Sequence, residues 1–424
     1  MMPTSPNLDR YSIPLRRVQI FRQHAFFFLA VVFLISAASA YGGSTPELTG
    51  QSTQRVVADE GSISIAGSIA KMLVSTEVYD PKSGVFTRTG KMLTPRMYFC
   101  ATVLNNGNVL VTGGQDAKHV PIASAELFVP SRGQFIATGA MLEARTDHTA
   151  TLLRDGRVLI FGGEGATEQT PGAEIYDPET GRFTQTSTRP SARAGHVATL
   201  LGNGNVLIAD GYDSSWGVSH PIETAELYEP KSGNFVHTGD SILHFWWYSL
   251  AAARIDPGTV FIVGGYTEQT GRSERTPSEL YHTSSGKFTE GPTIDGALAD
   301  CRVAPLPDGR IFVAGCINMD TLEGVLHAEL FDPKTQKFRP TEPTPAERTN
   351  CSVTTLRNGK VLIAGGNGRA PNHVLRDLAT AELYDPATNK FTPTGNMTTP
   401  RIDHRAVLLD NGKVLVIGGT TSRS

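Results

Sequence analysis

An arginine opens the same stretch of sequence five times, as Arg96, Arg145, Arg193, Arg348 and Arg401. Guanidinium groups gathered from separate copies could form a cluster of forks for a carboxylate or another anion, because each presents a rigid set of N–H donors. The competing expectation is local: each arginine satisfies carbonyls or an acid within its own copy and recurs only because the copy recurs. Registered on its glycines, the fourth copy has Trp246 in place of the arginine, within His244-Phe245-Trp246-Trp247-Tyr248. Trp246 and Trp247, with Trp216 in a preceding loop, could offer aromatic faces to a sugar ring or an apolar side chain. They could equally fill the middle of the fold as a packed plug. At a nearby equivalent position stand His148, His196 and His404, but other copies put Phe99, Ser249, Cys301 and Cys351 there. A slot that accepts Phe, Ser and Cys reads as packing, so no metal is expected from those imidazoles.

The element that positions these residues is a repeat. Its clearest mark is Glu-Leu-Tyr-Asp-Pro: Glu77-Val-Tyr-Asp-Pro81, Glu126-Leu-Phe-Val-Pro130, Glu174-Ile-Tyr-Asp-Pro178, Glu226-Leu-Tyr-Glu-Pro230, Glu279-Leu-Tyr-His-Thr283, Glu329-Leu-Phe-Asp-Pro333 and Glu382-Leu-Tyr-Asp-Pro386. Their ends are 49, 48, 52, 53, 50 and 53 positions apart. A period near ~50 with strand-forming residues in each unit predicts a propeller-type array. In the second unit Arg145–Leu153 alternates, Asp155-Gly156 turns the chain, and Val158–Phe161 runs to Gly162-Gly163. Asp-Gly or Asn-Gly between two such runs predicts a two-residue hairpin turn with positive φ at both positions. The Glu-Leu-Tyr segment supplies a third strand, and a fourth begins after an Asp-Pro-x-Thr-Gly turn, at Phe183. The fold expected is all-β: a seven-bladed β-propeller of four-stranded antiparallel blades. The chain opens with third and fourth strands (76–90) and ends with first and second strands (401–419), so Val414–Gly418 is expected to join Glu77–Tyr79 in a closing blade. Ser62–Gly67 also resembles a second strand, and would either compete with the C-terminal strand or cover the sheet.

The 424 residues include 43 Gly and 26 Pro, which suits short strands and tight turns, and long amphipathic helical patterns are absent. The formal charge is −3. Without residues 1–40 the balance is 34 basic against 40 acidic, or −6, with no basic run, which argues against nucleic acid as a partner. Arg16, Arg17 and Arg22 precede an apolar stretch, Ala25–Ala40, ending in Ala38-Ser39-Ala40. Residues 1–40 therefore read as a secretory signal cut before Tyr41, residues 41–75 as a leader with a possible extra strand, and 76–424 as the propeller. A membrane association is expected only if that segment stays uncleaved. The expected location is secreted, periplasmic or cell-surface. Only four cysteines are present, so no disulfide framework holds the chain. Cys301 and Cys316 sit opposite each other if Asp308-Gly309 forms the turn between them, which permits either a disulfide or two buried thiols.

The glycine pairs Gly113-Gly114, Gly162-Gly163, Gly264-Gly265, Gly365-Gly366 and Gly418-Gly419, the third-strand tyrosine and the ~50-residue period together resemble kelch repeats. Asp210-Gly211 and Gly315-Cys316 are weakened copies of the pair. The resemblance covers residues 76–419. It implies a propeller of the kelch and galactose oxidase-like superfamily, whose members include protein-binding modules and copper-radical oxidases. Kelch adaptors that bind acidic peptides meet them with arginines at matching strand starts. A copper-radical site would need a Cys–Tyr thioether; Tyr98 and Cys100 are two apart and share a strand face, but most tyrosines here belong to the repeating third strand. In each unit the hairpin turns are short and alike, whereas the loops between second and third strands (115–124, 164–172, 212–224, 266–277, 317–327 and 367–380) differ, so binding is expected at their end. The reading is an interaction module for a protein or glycan, with no cofactor and no enzymatic activity expected. A copper oxidase, or an envelope protein without a discrete ligand site, is the alternative.

Overall fold

The second strand of each repeat is rich in apolar, β-branched residues on both faces, so it needs cover on both. The fold supplies it by packing sheets around a ring. The computed structural model describes residues 62–65, 68–166, 172–213, 220–243, 246–266, 275–321, 323–369 and 375–422; of these, 62–70, 246–249 and 265–266 are described by backbone alone. Among the described residues there is no helix, and seven antiparallel sheets have four strands each.

Sheet one runs Cys100–Val103, Val109–Thr112, Ala125–Val129, Gln134–Ala137. Sheets two, three, four, five and six repeat that order from first strands at Thr149–Leu152, Val197–Leu200, Trp246–Asp256, Arg302–Pro305 and Ser352–Thr355. Sheet seven takes its inner strands from the C-terminal part, Arg405–Leu408 and Val414–Ile417, and its outer ones from Ser75–Asp80 and Val85–Lys91. Tyr79 pairs with Val414 and Thr76 with Ile417, so the two ends of the repeat array meet in one sheet as expected.

Alternation along the second strands produces the ring. Val109 and Val111 pack with Leu415 and Ile417 of sheet seven, whereas Leu110 between them packs with Val158 and Ile160 of sheet two. The same division joins Leu159 and Phe161 to Val206 and Ile208, Leu207 and Ala209 to Val260 and Ile262, and Phe261 and Val263 to Ile311 and Val313. Phe312 then meets Val361 and Ile363, and Leu362 meets Val414 and Val416, which closes the circle. Each strand thus serves two cores, because successive side chains point to opposite faces. The first strands contact one another in the same cyclic order and line the axis. This is a propeller.

Three details refine the sequence reading. Six of the seven first hairpins turn through three residues rather than two, sheet four keeping two (Pro257-Gly258): Leu152 pairs with Val158, and Leu153 N–H donates to Arg157 O at 2.8 Å, leaving Arg154-Asp155-Gly156 as the loop. Of Asp155 and Gly156 only the glycine has positive φ, 90°. The Asp or Asn is selected for its side chain instead, since Asp155 Oδ1 accepts the Arg157 N–H at 3.1 Å, as Asn106, Asn203, Asp308, Asn358 and Asn411 do for the N–H two residues on. The extra residue shifts the register of sheet five, so Arg302 pairs with Ala314 and Cys301 is not directly opposite Cys316. A Cys301–Cys316 disulfide forms nonetheless, with Cα atoms 4.1 Å apart. Finally, Ser62–Ile65 pairs with Ser68–Met72, which pairs with Thr420–Ser422 in a separate three-stranded sheet, so this segment does not displace the closing strand.

Candidate functional site

The five arginines expected at a ligand-facing rim are inside the fold. Arg96, Arg145, Arg193 and Arg401 are 0% exposed and Arg348 4%. Each guanidinium braces three strands of its own sheet. Arg145 Nη1 donates to Gly162 O and Gly172 O, both at 2.9 Å, and Nη2 meets Glu174 Oε1 at 2.8 Å. Arg96 pairs likewise with Glu126 at 2.7 Å, Arg193 with Glu226 at 3.3 Å, Arg401 with Glu77 at 2.7 Å, and Arg348 with Glu382. The acid is the glutamate of the Glu-Leu-Tyr motif, so two marks of the repeat are one ion pair. Burial lowers the arginine pKa at Arg96, Arg145, Arg193 and Arg401, and the paired carboxylate opposes that shift. These side chains are committed to the frame.

The histidines are committed too. His148 Nε2 lies 2.8 Å from Thr112 Oγ1, His196 Nε2 2.9 Å from Thr149 Oγ1 and His404 Nε2 2.8 Å from Ser352 Oγ, each bond crossing to the preceding sheet. Each imidazole packs against the first glycine of that sheet's pair, where a Cβ on Gly113 would meet His148 Cε1 at 2.7 Å. Burial holds all three well below the ordinary imidazole range, to about 3 for His196 and His404. They are neutral hooks between sheets, as the packing reading expects.

What reaches the axis is the residue just before that slot, which the sequence reading passed over. Tyr98, Asp147, Asp300, Asn350 and Asp403 there have φ between 52° and 55°, and Gly195 has 64°. Left-handed backbone at Tyr or Asp is uncommon and signals an imposed turn. The turn lets neighbouring first strands bond: Asp147 N–H donates to Tyr98 O and Asp403 N–H to Asn350 O, both at 3.2 Å. The signal was present as Arg-x-Asp-His and Arg-x-Asn-Cys, since Asp, Asn and Gly are the residues that enter this region most readily.

Around this mouth the charge is mixed and acid-rich. Arg302 Nη1 meets Asp300 Oδ1 at 2.8 Å, Arg405 Nε donates to Phe99 O at 2.8 Å, and Tyr212 Oη donates to Glu164 Oε1 at 2.8 Å. Burial first, then Glu164, raises the Asp147 carboxyl to about 7; burial and Asp300 raise Asp403 to about 6. Tyr98 is raised by burial and by Asp403, Asp147 and Asp300 around it. Asp147 and Asp403 remain half-buried rather than sealed. Trp216 lies outside the described residues. Trp246 and Trp247 lie in the first strand of sheet four, where Trp246 pairs with Tyr266, and their side chains are outside the described part.

No family model matches the chain. Kelch-like protein 23 of Mus musculus is 25% identical over 194 residues, covering 45% of this chain and 32% of that protein, and its Homo sapiens counterpart is 24% identical over the same length. Spermatocyte protein spe-26 of Caenorhabditis elegans is 32% identical over 117 residues, covering 26% of this chain and 19% of that protein. The chain thus spans about a third or less of the curated relatives it matches. A solved fungal alcohol oxidase of the AA5 family, in complex with copper, shares the fold at a TM-score of 0.56 with 16% identity, over 77% of this chain and 74% of that one. Copper does not fit the described residues: His148, His196 and His404 spend Nε2 on hydroxyls in three different joints, and Cys100 Sγ donates to His148 O at 2.9 Å. Among the described residues no three of His, Cys, Asp or Glu are placed to share one metal ion.

Proposed function

We propose that this kelch-type propeller is an interaction module that binds a protein segment at the axial mouth, on the face where the variable loops emerge. The observation that carries the reading is the ring of left-handed residues, Tyr98, Asp147, Asp300, Asn350 and Asp403, at the joints between neighbouring first strands, near enough that Asp403, Asp147 and Asp300 all act on Tyr98. A rigid frame beneath varied loops is the arrangement in which binding residues are held ready without ordering cost. Four carboxyls, Asp147, Glu164, Asp300 and Asp403, face two guanidiniums, Arg302 and Arg405, so a segment bearing basic side chains is the better match. A glycan would depend on the tryptophans of the fourth repeat. The Cys301–Cys316 disulfide suits an oxidising compartment and supports export of the chain.

The test is an array of basic, acidic and neutral peptides, with glycans alongside, probed with the wild-type protein and an Asp147→Asn/Asp403→Asn double variant. Both carboxyls are half-buried and outside the ion-pair frame, so the variant is expected to fold and to lose basic-peptide binding at least tenfold. Retained binding by the double variant, or capture of acidic peptides alone, overturns the reading.

A further inference from the structure

The joint between sheets three and four is built from departures that fit one another. Where the first glycine of the pair recurs as Gly113, Gly162, Gly264, Gly315, Gly365 and Gly418, sheet three has Asp210, held in the same left-handed backbone at φ 59°. A side chain at that position would strike the histidine of the next sheet, as Gly162 shows with His196 Cε1 2.8 Å from a built Cβ. In sheet four the residue opposite the first glycine, Gly264, is Leu250 rather than Ser249, because the strand is irregular between Trp246 and Leu250, and its start, His244–Ser249, holds no arginine, yet the sheet keeps the glutamate, Glu279. Glu279 is 0% exposed and Asp210 2%. Ser241 Oγ lies 3.1 Å from both Glu279 oxygens, and Ile242 N–H donates to Oε2 at 3.1 Å. Among the described residues Asp210 also bears on Glu279: its charge and a hydrogen bond to its side chain both raise the Glu279 carboxyl. Two carboxyl groups can bond only if one of them carries a proton.

We propose that Asp210 and Glu279 share one proton across this joint, a pH-limited latch that stands in for the missing guanidinium. Glu279 is the site that keeps it: burial first, then the charge of Asp210 and the bond to it, raise Glu279 to about 9. Among the described residues, the other charged groups nearby are Arg193, which donates Nη1 to Asp210 O at 3.1 Å and is paired with Glu226, and Glu290, opposite Glu279 in the ladder. Arg193 faces Asp210, so it favours ionised Asp210 and leaves the proton on Glu279. The folded pKa lies above the unfolded one, so the native state holds the extra proton. Stability from this joint is full at acidic pH, falls as pH rises past the unfolded glutamate value, and is gone above about 9.

Denaturant unfolding of the full chain between pH 5 and 10 tests this, comparing wild type with Glu279→Gln, whose amide can donate to Asp210 at every pH. The unfolding constant of wild type is expected to rise over that of the variant by up to tenfold per pH unit until about pH 9, one proton's worth of linkage. Parallel profiles overturn the proposal. An infrared carbonyl band of a neutral carboxylic acid, present in wild type at pH 8 and shifted or weakened in Asp210→Asn, where the acid loses its carboxylate partner but stays buried, supports it without needing the first variant to fold. Lack of that band in wild type at pH 8 refutes it.

Discussion

Sheets one, two, three, six and seven each hold three strands with one buried guanidinium, whereas sheets four and five keep the glutamate and have lost the arginine. The glutamate persists because it has a second task. Glu126, Glu174 and Glu77 each accept an N–H from the connection entering the sheet, at 2.7 Å from Leu93, Leu142 and Thr398. Sheet four preserves that task through Ile242 and answers the lost charge with a second acid. Sheet five diverts its entering connection into a small ladder, Arg275–Thr276 with Ile294–Asp295, and ties the residue before its first strand to the second residue past its second strand with a disulfide. One repeat motif therefore separates into a charge-paired version and two versions without the guanidinium, whose glutamates are raised to about 9 and about 7.

The largest break in that comparison is Arg145→Ala. It leaves Glu174 buried without its counter-charge and two carbonyls without their donor, which is expected to lower unfolding free energy by about 3–5 kcal/mol. Denaturant midpoints measure it, and a loss under about 1 kcal/mol would mean the ion pair does not brace the sheet. A double change of Arg145 and Glu174 to Met and Leu should recover much of the loss, since a well-packed apolar pair often replaces a buried ion pair at little penalty. On the other side of the comparison, Cys301→Ser removes a link closing 15 residues and is expected to lower stability by about 3 kcal/mol. Reductant should move wild type toward the variant and leave the variant unchanged; equal sensitivity in both would sink the assignment.

Much of this was legible beforehand, and the failures have physical causes. The closing sheet followed from counting strands, because a period of ~50 leaves half a unit at each end. The arginine's role was one of two readings the sequence allowed. Its partner lies 29 residues away along the chain and meets it only through the second strand, so the sequence alone could not rank them. The turn length was misread because Asp-Gly serves two hairpins equally well; what separates them is whether the aspartate bends its own backbone or uses its side chain as an acceptor. The axial ring escaped notice because its residues, Tyr98, Asp147, Gly195, Asp300, Asn350 and Asp403, share a backbone conformation rather than a chemistry.

The finest test lies in sheet five, where Glu329 has Leu298 at the arginine position and His327 beside it, with Nε2 3.5 Å from Oε1. Burial first, then the charge of Asp295, raises Glu329 to about 7. Because the folded value exceeds the unfolded one, the native state binds the proton more tightly. This group's contribution is therefore whole at acidic pH and declines as pH rises from the ordinary glutamate range to about 7, then stays level. Glu329→Gln should flatten that segment of the stability profile, with an effect on the order of 1 kcal/mol at neutral pH, whereas Glu174→Gln in the charge-paired sheet two should destabilise by taking away the Arg145 counter-charge. Thermal melts at pH 5, 6, 7 and 8 separate the two responses. If both variants move in parallel, the distinction between paired and protonated sheets fails at sheet five. Restoring the arginine with Leu298→Arg then offers the converse: where the guanidinium reaches Glu329, the carboxyl should ionise and the pH dependence vanish even though the acid is still there.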